Sequence, residues 1–349
     1  MLDDNVALWL RRPGSAMTVG AAVYPRPAPN EVVVRVRAVA VNPVDNLPGY
    51  LYPVILPWLR FPAVIGSDVA GVIVDVGHDV TRLRPGDRVL GHALGLERGH
   101  ANPAEGAFQH YVVLRQNMLA PIPDTLSFRE AAVLPLGVST AASGLFQEDH
   151  LGLALPADPV TERGEAVLVW GGSTSVGSNA IQLARNAGYH IVATASAHNF
   201  DYVRSLGAAA VADYRSRAVI DDVVEKLGGH VLAGVFAIGA GSVPPAIAIA
   251  NRIPGTRRIA TVDLGPGTML RRWTARLRRV RLTAVRGTSL KDSAIGAAIY
   301  GDFLSAALAS GRYLAAPDAT VVGHGLDHIP DALRRLRDGV SAAKLVVTT

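Results

Sequence analysis

Glu165–Ala184 reads EAVLVWGGSTSVGSNAIQLA, and the organisation of the chain follows outward from it. The apolar run Val167–Trp170 passes directly into Gly171-Gly172-Ser173-Thr174-Ser175-Val176-Gly177. Apolar residues then recur at helical spacing over Val176–Ala187. A strand that turns into a helix on glycines leaves backbone N–H groups and the positive end of the helix dipole aimed at one point, which suits a pyrophosphate. Gly171 suits the tight turn, and Gly177 the close packing of helix on strand. Thr174 stands where the dinucleotide fingerprint has its middle glycine. The turn alone is therefore a weak signal. Its place between a strand and a helix, with a second strand at His190–Thr194, is what predicts dinucleotide binding. A tight turn that binds nothing is the competing reading.

Further strands are predicted at Val231–Ile238, Arg258–Val262 and Leu282–Gly287, alternating with helical segments. That alternation argues for a doubly wound parallel sheet, the Rossmann arrangement, in an α/β protein. Before about Ser127 the period differs. Glu31–Val41 (EVVVRVRAVAV) alternates like a half-buried strand, and Val69–Val76 and Arg88–Leu90 follow, punctuated by Gly77, Pro85 and Gly86. Helices are expected after Ser127 and over Ser139–Phe146, Ala294–Ala309 and Asp331–Arg337, with a last strand over Lys344–Thr348.

The end of the second strand decides the cofactor. NAD enzymes place an acidic residue there to accept from the ribose 2′-hydroxyl. Here the strand ends Ala193-Thr194-Ala195-Ser196-Ala197-His198-Asn199, with no carboxylate before Asp201. Ser196 and Asn199 suit a 2′-phosphate, to which His198 or Arg204 would add positive charge. The same residues suit helix capping, and the two roles are compatible. NADPH is the expected cofactor.

At 349 residues the chain fits two domains, and its composition, 49% hydrophobic and 18% charged, is that of a globular protein. No apolar run reaches the roughly 20 residues that span a bilayer. The start, MLDDNVALWLRRPG, lacks the basic opening of a secretion signal, so a cytoplasmic protein without membrane partners is expected. The absence of cysteine excludes disulfides, thiolate metal sites and cysteine nucleophiles. The net charge of +5 is modest and does not predict nucleic-acid binding; only three of the 34 basic residues are lysines. Six arginines, Arg271, Arg272, Arg276, Arg278, Arg279 and Arg281, crowd one segment. If it is helical, Trp273 and Leu277 would anchor one face while most arginines reach solvent.

Several segments come in the order of a known family: Asn42-Pro43-Val44-Asp45, Pro62–Gly71 (PAVIGSDVAG), Arg84–Val89 (RPGDRV), Gly106–Val112 (GAFQHYV) and Ala131–Ala141 (AAVLPLGVSTA). With the glycine turn they resemble the quinone oxidoreductase and enoyl reductase branch of the medium-chain dehydrogenase/reductases. GGSTSVGSNAIQLA, Ser196–Asp201 (SAHNFD) and Val340–Val347 (VSAAKLVV) are most similar to the trans-acting enoyl reductases of polyketide synthesis. The resemblance spans almost the whole chain. It implies a GroES-like, mostly-β catalytic domain over 1–127 and 289–349, a Rossmann NADPH-binding domain over 128–288, and an active cleft between them. It implies a catalytic set of Asn42, Asp45 and Thr140, the first two shaping the cleft floor. The cofactor set comprises Ser139, Gly171, Gly172, Ser173, Thr174, Ser175, Val176, Gly177, Ser196, His198, Asn199, Tyr214 and Lys344. An ordinary surface lysine is the equal alternative for Lys344. A monomer or homodimer is expected.

The departures are as informative. Zinc dehydrogenases of this superfamily carry a cysteine near Asn42 and a G-H-E run where this chain has Gly66-Ser67-Asp68, and the four-cysteine lobe is missing. His92, His100 and His110 match no ordinary metal spacing, so no metal is expected. Quinone reductases often have a tyrosine where Leu47 stands; Tyr50 or Tyr52 could substitute, with a packed turn tyrosine as the equal alternative. The expected function is NADPH-dependent, zinc-independent reduction of an activated C=C bond, in an enone or enoyl thioester, by hydride transfer to the β-carbon. A quinone oxidoreductase is one alternative, and a non-catalytic nucleotide-binding sensor or scaffold is another. The arginine run is either a solvated face or a docking patch for an anionic carrier, coenzyme A or an acidic carrier protein, placed where loops border the cleft.

Overall fold

A computed structural model describes residues 4–100, 102–263 and 265–349, with the side chains of 266, 269, 270 and 272–274 outside the description. The chain forms two compact units. One comprises Met1–Leu136, Tyr300–Gly311 and Ala315–Thr349, the other Gly137–Ile299 and Arg312–Leu314. These boundaries differ from the 127 and 289 predicted from sequence, and hydrogen bonds within the first unit explain why. Leu136 N donates to Asp68 Oδ1 at 2.6 Å, and Tyr300 Oη donates to Pro135 O at 2.8 Å, so these residues stay with the first unit.

The second unit is built on strands β1 (Glu165–Trp170), β2 (His190–Ala195), β3 (Ala210–Asp213), β4 (Val231–Ala237), β5 (Arg258–Thr261) and β6 (Arg281–Ala284). They form one six-stranded sheet in the order β3-β2-β1-β4-β5-β6, every pair parallel. That is the doubly wound order with its reversal at β1 and β4, the place where such sheets bind ligands. Ala166–Val169 of β1 have no exposed surface, as expected of a strand covered on both faces. Helix α1 (Ser175–Asn186) follows β1 and α2 (Pro266–Leu277) follows β5.

The arginine run lies over α2 and the start of β6, but not with the expected anchor. Leu277 is 86% exposed, and Ala275 and Val280 are the buried residues that join the apolar core with Leu282. Trp273 falls outside the described side chains. Because β6 begins at Arg281 and runs parallel to β1, the exposed Arg276, Arg278, Arg279 and Arg281 sit at the N-terminal edge of the sheet. The Gly171–Gly177 turn leaves the opposite edge. Those four arginines therefore lie at the edge opposite the strand ends where such sheets bind ligands.

The first unit is mostly β. A seven-stranded sheet contains Glu31–Ala40 at its centre, paired antiparallel with Asp68–Val76, Tyr111–Arg115 and Ala343–Thr348. Asp318–His324 adds a parallel edge to Ala343–Thr348. A second sheet joins Thr18–Ala22, Asn5–Leu10 and Ala63–Val64. Alternate residues of these strands, with Phe108, Leu326 and Ile329, bury one apolar core. No helix among the described residues is long and apolar enough to cross a membrane.

Candidate functional site

The glycine turn takes its shape from backbone crowding. Gly171 has φ +93°, in the left-handed region, and its N–H donates to Thr194 Oγ1 at 3.1 Å. A Cβ on Gly177 would fall 2.2 Å from Gly171 O, so the first turn of α1 closes directly on the end of β1. Thr174 caps the helix: its Oγ1 accepts from Gly177 N at 3.0 Å and donates to Gly171 O at 2.8 Å. The residue replacing the middle glycine thus secures the turn. Ser175 Oγ, in the first helical turn, is buried without a hydrogen-bond partner in the protein. An orphaned hydroxyl beside free N–H groups at the end of a twelve-residue helix fits an anionic ligand such as a pyrophosphate.

The second strand ends beside this turn, since Gly172 N donates to Thr194 O at 2.8 Å. Ser196 and Asn199 are 5% and 6% exposed, and Asn199 Nδ2 donates to Ser196 Oγ at 3.4 Å. His198 Nε2 lies 3.5 Å from the same hydroxyl. Tyr214 N donates to Ala195 O at 3.4 Å, which brings Tyr214, 42% exposed, to the same strand end. Of the two residues expected to add positive charge, His198 thus stands at this strand end. Arg204 pairs with Asp201 at 3.0 Å, whereas Arg215 lies over the Tyr214 ring, 5.4 Å from its centroid. Sequence reasoning missed Arg215 because β3 is a four-residue, alanine-rich edge strand with no alternation to reveal it. Ser139 and Thr140, on the helix Pro135–Phe146, are 0% and 7% exposed, and Thr140 packs against the backbone of Gly287.

The first unit gathers a second cluster. Asn42 precedes a short turn, Pro43–Asn46, in which Asn42 N donates to Asp45 Oδ2 at 2.9 Å and Asp45 N to Asn42 O at 3.0 Å. Asn42, Asp45, Ser67, Asp68, His92 and Lys344 are all buried, none more than 5% exposed. Asn42 Nδ2 donates to Asp68 Oδ2 at 2.8 Å, and Lys344 Nζ stands 2.9 Å from that oxygen. Lys344 is thus not the surface lysine of the alternative reading; its ammonium is engaged inside the unit. Asn42, with its amide committed at both ends, and Asp45, with no exposed surface, act on neighbouring residues and offer nothing to solvent. Tyr52 is 3% and Tyr50 77% exposed; burial, with Asp45 as a second cause, pushes the Tyr52 hydroxyl up to about 12. His92 Nδ1 has no partner, and burial holds its imidazole down at about 4, hence neutral. Among the described residues no three histidine, aspartate or glutamate side chains group as a metal site.

Burial, reinforced by Asp68, pushes the Asp45 carboxyl up to about 7 against bonds from Asn42 and the Lys344 charge that pull it down. An unfolded aspartate titrates near 3.9. Between about pH 4 and 7 the folded state therefore keeps a proton that the unfolded state has lost, and this group's contribution to stability falls as pH rises. Asp45→Asn removes that slope. The unfolding free energy of the variant minus that of the native chain, from denaturant titrations, is expected to rise from pH 4 to 7 and then level, a span on the order of 4 kcal/mol. A difference that does not change with pH would show that Asp45 is ionised throughout.

Comparison with known proteins agrees with this architecture. Residues 28–124 match the family described as Alcohol dehydrogenase GroES-like domain. The chain is 43% identical to Dehydrogenase pigH of Monascus ruber over 99% of this chain and 100% of that protein. It is 36% identical to Trans-enoyl reductase himH of Aspergillus japonicus, covering 98% of this chain and 97% of that one. A solved alcohol dehydrogenase superfamily protein from Novosphingobium aromaticivorans superposes with a TM-score of 0.77 at 24% identity, over 99% of each chain, which speaks to the fold. The chain belongs to the medium-chain dehydrogenase/reductase superfamily and is an oxidoreductase. Within that superfamily it stands with relatives named as dehydrogenases and trans-enoyl reductases.

Proposed function

We propose that this chain is an NADPH-dependent reductase of activated C=C bonds, in enoyl thioesters or enones, that works without zinc. The observation that carries the reading is the polar end of β2, which has no carboxylate of its own before Asp201, beside the glycine turn. Ser196, His198, Asn199, Tyr214 and Arg215 would hold the 2′-phosphate, and Gly171–Gly177 with the α1 N-terminus the pyrophosphate. When bound, NADPH supplies a hydride for the β-carbon. The charge that then develops on the carbonyl oxygen needs donors more than an acid, and Thr140 is the hydroxyl we assign to it. Ordered water supplies the α-proton. Independence of zinc is supported by the absence of any cysteine near Asn42 and by Gly66-Ser67-Asp68 in place of the G-H-E run of zinc dehydrogenases. The name of himH favours an enoyl substrate. Coenzyme A or an acidic carrier protein would be drawn by the net charge of +5 and the exposed arginines of α2, an attraction that fades with salt.

Two measurements test the reading. NADPH oxidation is expected with enones and enoyl thioesters, free or carrier-linked, and to survive prolonged chelation. Oxidation with quinones alone would move the assignment to a quinone reductase, and none at all to a binding protein. In fluorescence titrations NADPH is expected to bind at least tenfold tighter than NADH, about 1.4 kcal/mol. Ser196→Asp should reverse that order by repelling the 2′-phosphate, and equal native affinities would remove the basis for NADPH.

A further inference from the structure

Three polar groups distant in sequence share one buried point in the first unit. Lys344, on the strand Ala343–Thr348, is 5% exposed, Asn42 2% and Asp68 0%. Lys344 Nζ donates to Asn42 Oδ1 at 2.5 Å and lies 2.9 Å from Asp68 Oδ2. Asn42 Nδ2 donates to that same carboxylate oxygen at 2.8 Å, which closes a ring of ammonium, amide and carboxylate. The other oxygen of Asp68 accepts from Leu136 N at 2.6 Å.

A buried ion pair is a poor source of stability, because desolvation of both charges offsets most of their attraction. What it supplies is direction. The amide of Asn42 can lie either way round in an uncharged pocket. An ammonium on one side accepts only Oδ1 as neighbour, and a carboxylate on the other only Nδ2. Asn42 is thereby held in one orientation, and its backbone exchanges both hydrogen bonds with Asp45 across the Pro43–Asn46 turn.

We infer that Lys344 is a positioning residue: a built-in cation that orients Asn42, and through it the Pro43–Asn46 turn, rather than a contact for the cofactor. The kinetic part of the test rests on the reductase reading above; the structural part does not. Lys344→Met is expected to lower kcat at least thirtyfold while the dissociation constant for NADPH stays within twofold. It also leaves Asp68 unpaired, so the paired variant Lys344→Met/Asp68→Asn separates folding from positioning. In the pair, Tm is expected to return to within a few degrees of the native value while kcat stays low. The side-chain amide of Asn42, followed by ¹⁵N NMR, is expected to be protected from exchange in the native chain and to exchange at least a hundredfold faster in both variants. Recovery of kcat together with Tm in the paired variant would reduce Lys344 to a folding role. A tenfold loss of NADPH affinity at unchanged kcat in Lys344→Met would make it a cofactor contact. If the native chain turns over no substrate, the reductase reading fails separately, and the exchange rate alone decides: an Asn42 amide still protected in Lys344→Met overturns the inference.

Discussion

Gly177→Ala is expected to weaken dinucleotide binding at least a hundredfold, about 2.7 kcal/mol, and to lower Tm by several degrees. The added Cβ would lie 2.2 Å from Gly171 O and 2.9 Å from both Gly171 C and Gly172 Cα. All three are backbone atoms of the turn itself, so no side chain can swing aside. Either α1 withdraws from β1 or the turn opens. Withdrawal breaks the Thr174 cap, whose Oγ1 bridges Gly171 O and Gly177 N and is worth about 1 kcal/mol. Overpacking adds roughly 1–3 kcal/mol. Opening would move the N–H groups and Ser175 Oγ off the point where a pyrophosphate would sit. Fluorescence titration with NADPH and NADH measures the binding loss, and calorimetry the stability. An affinity within threefold of native would mean that the turn does not hold the dinucleotide.

The same crowding explains why this part of the fold was legible in the sequence. A turn that only glycine can make is written in residue type, and the strands around it are apolar because both faces are covered. β1, β2, β4 and β5 were therefore readable to within a residue or two. β3 was not, because Ala210–Asp213 is short, lies at the edge and is alanine-rich. Leu277 was misread because helical spacing identifies a face without saying which face is buried; α2 turns Ala275 inward and leaves Leu277 at 86% exposure. The first unit was harder again. Asn42 and Asp45 could be carried over from family motifs, yet what they touch depends on strands brought together across the chain. The Lys344–Asn42 bond spans 302 residues, and neither local propensity nor periodicity contains it.

Asp68→Ala is expected to be the most damaging single change in the first unit, at about 3–5 kcal/mol and a Tm drop near 10 °C or more. The carboxylate is completely buried and serves three donors: Lys344 Nζ, Asn42 Nδ2 and Leu136 N. Its removal leaves an ammonium 5% exposed, with Asn42 Oδ1 as its one remaining partner in the ring. Leaving one charge of a buried pair costs far more than removing both, so Asp68→Ala/Lys344→Met should be more stable than Asp68→Ala alone by at least 2 kcal/mol. A simple cavity would predict the reverse, because the second truncation would only enlarge it. Denaturant unfolding of the native chain, both single variants and the pair supplies the full cycle. Additive losses would show that the two residues stabilise the unit independently, and that charge pairing is not what holds the strand Ala343–Thr348 to the Asn42 turn.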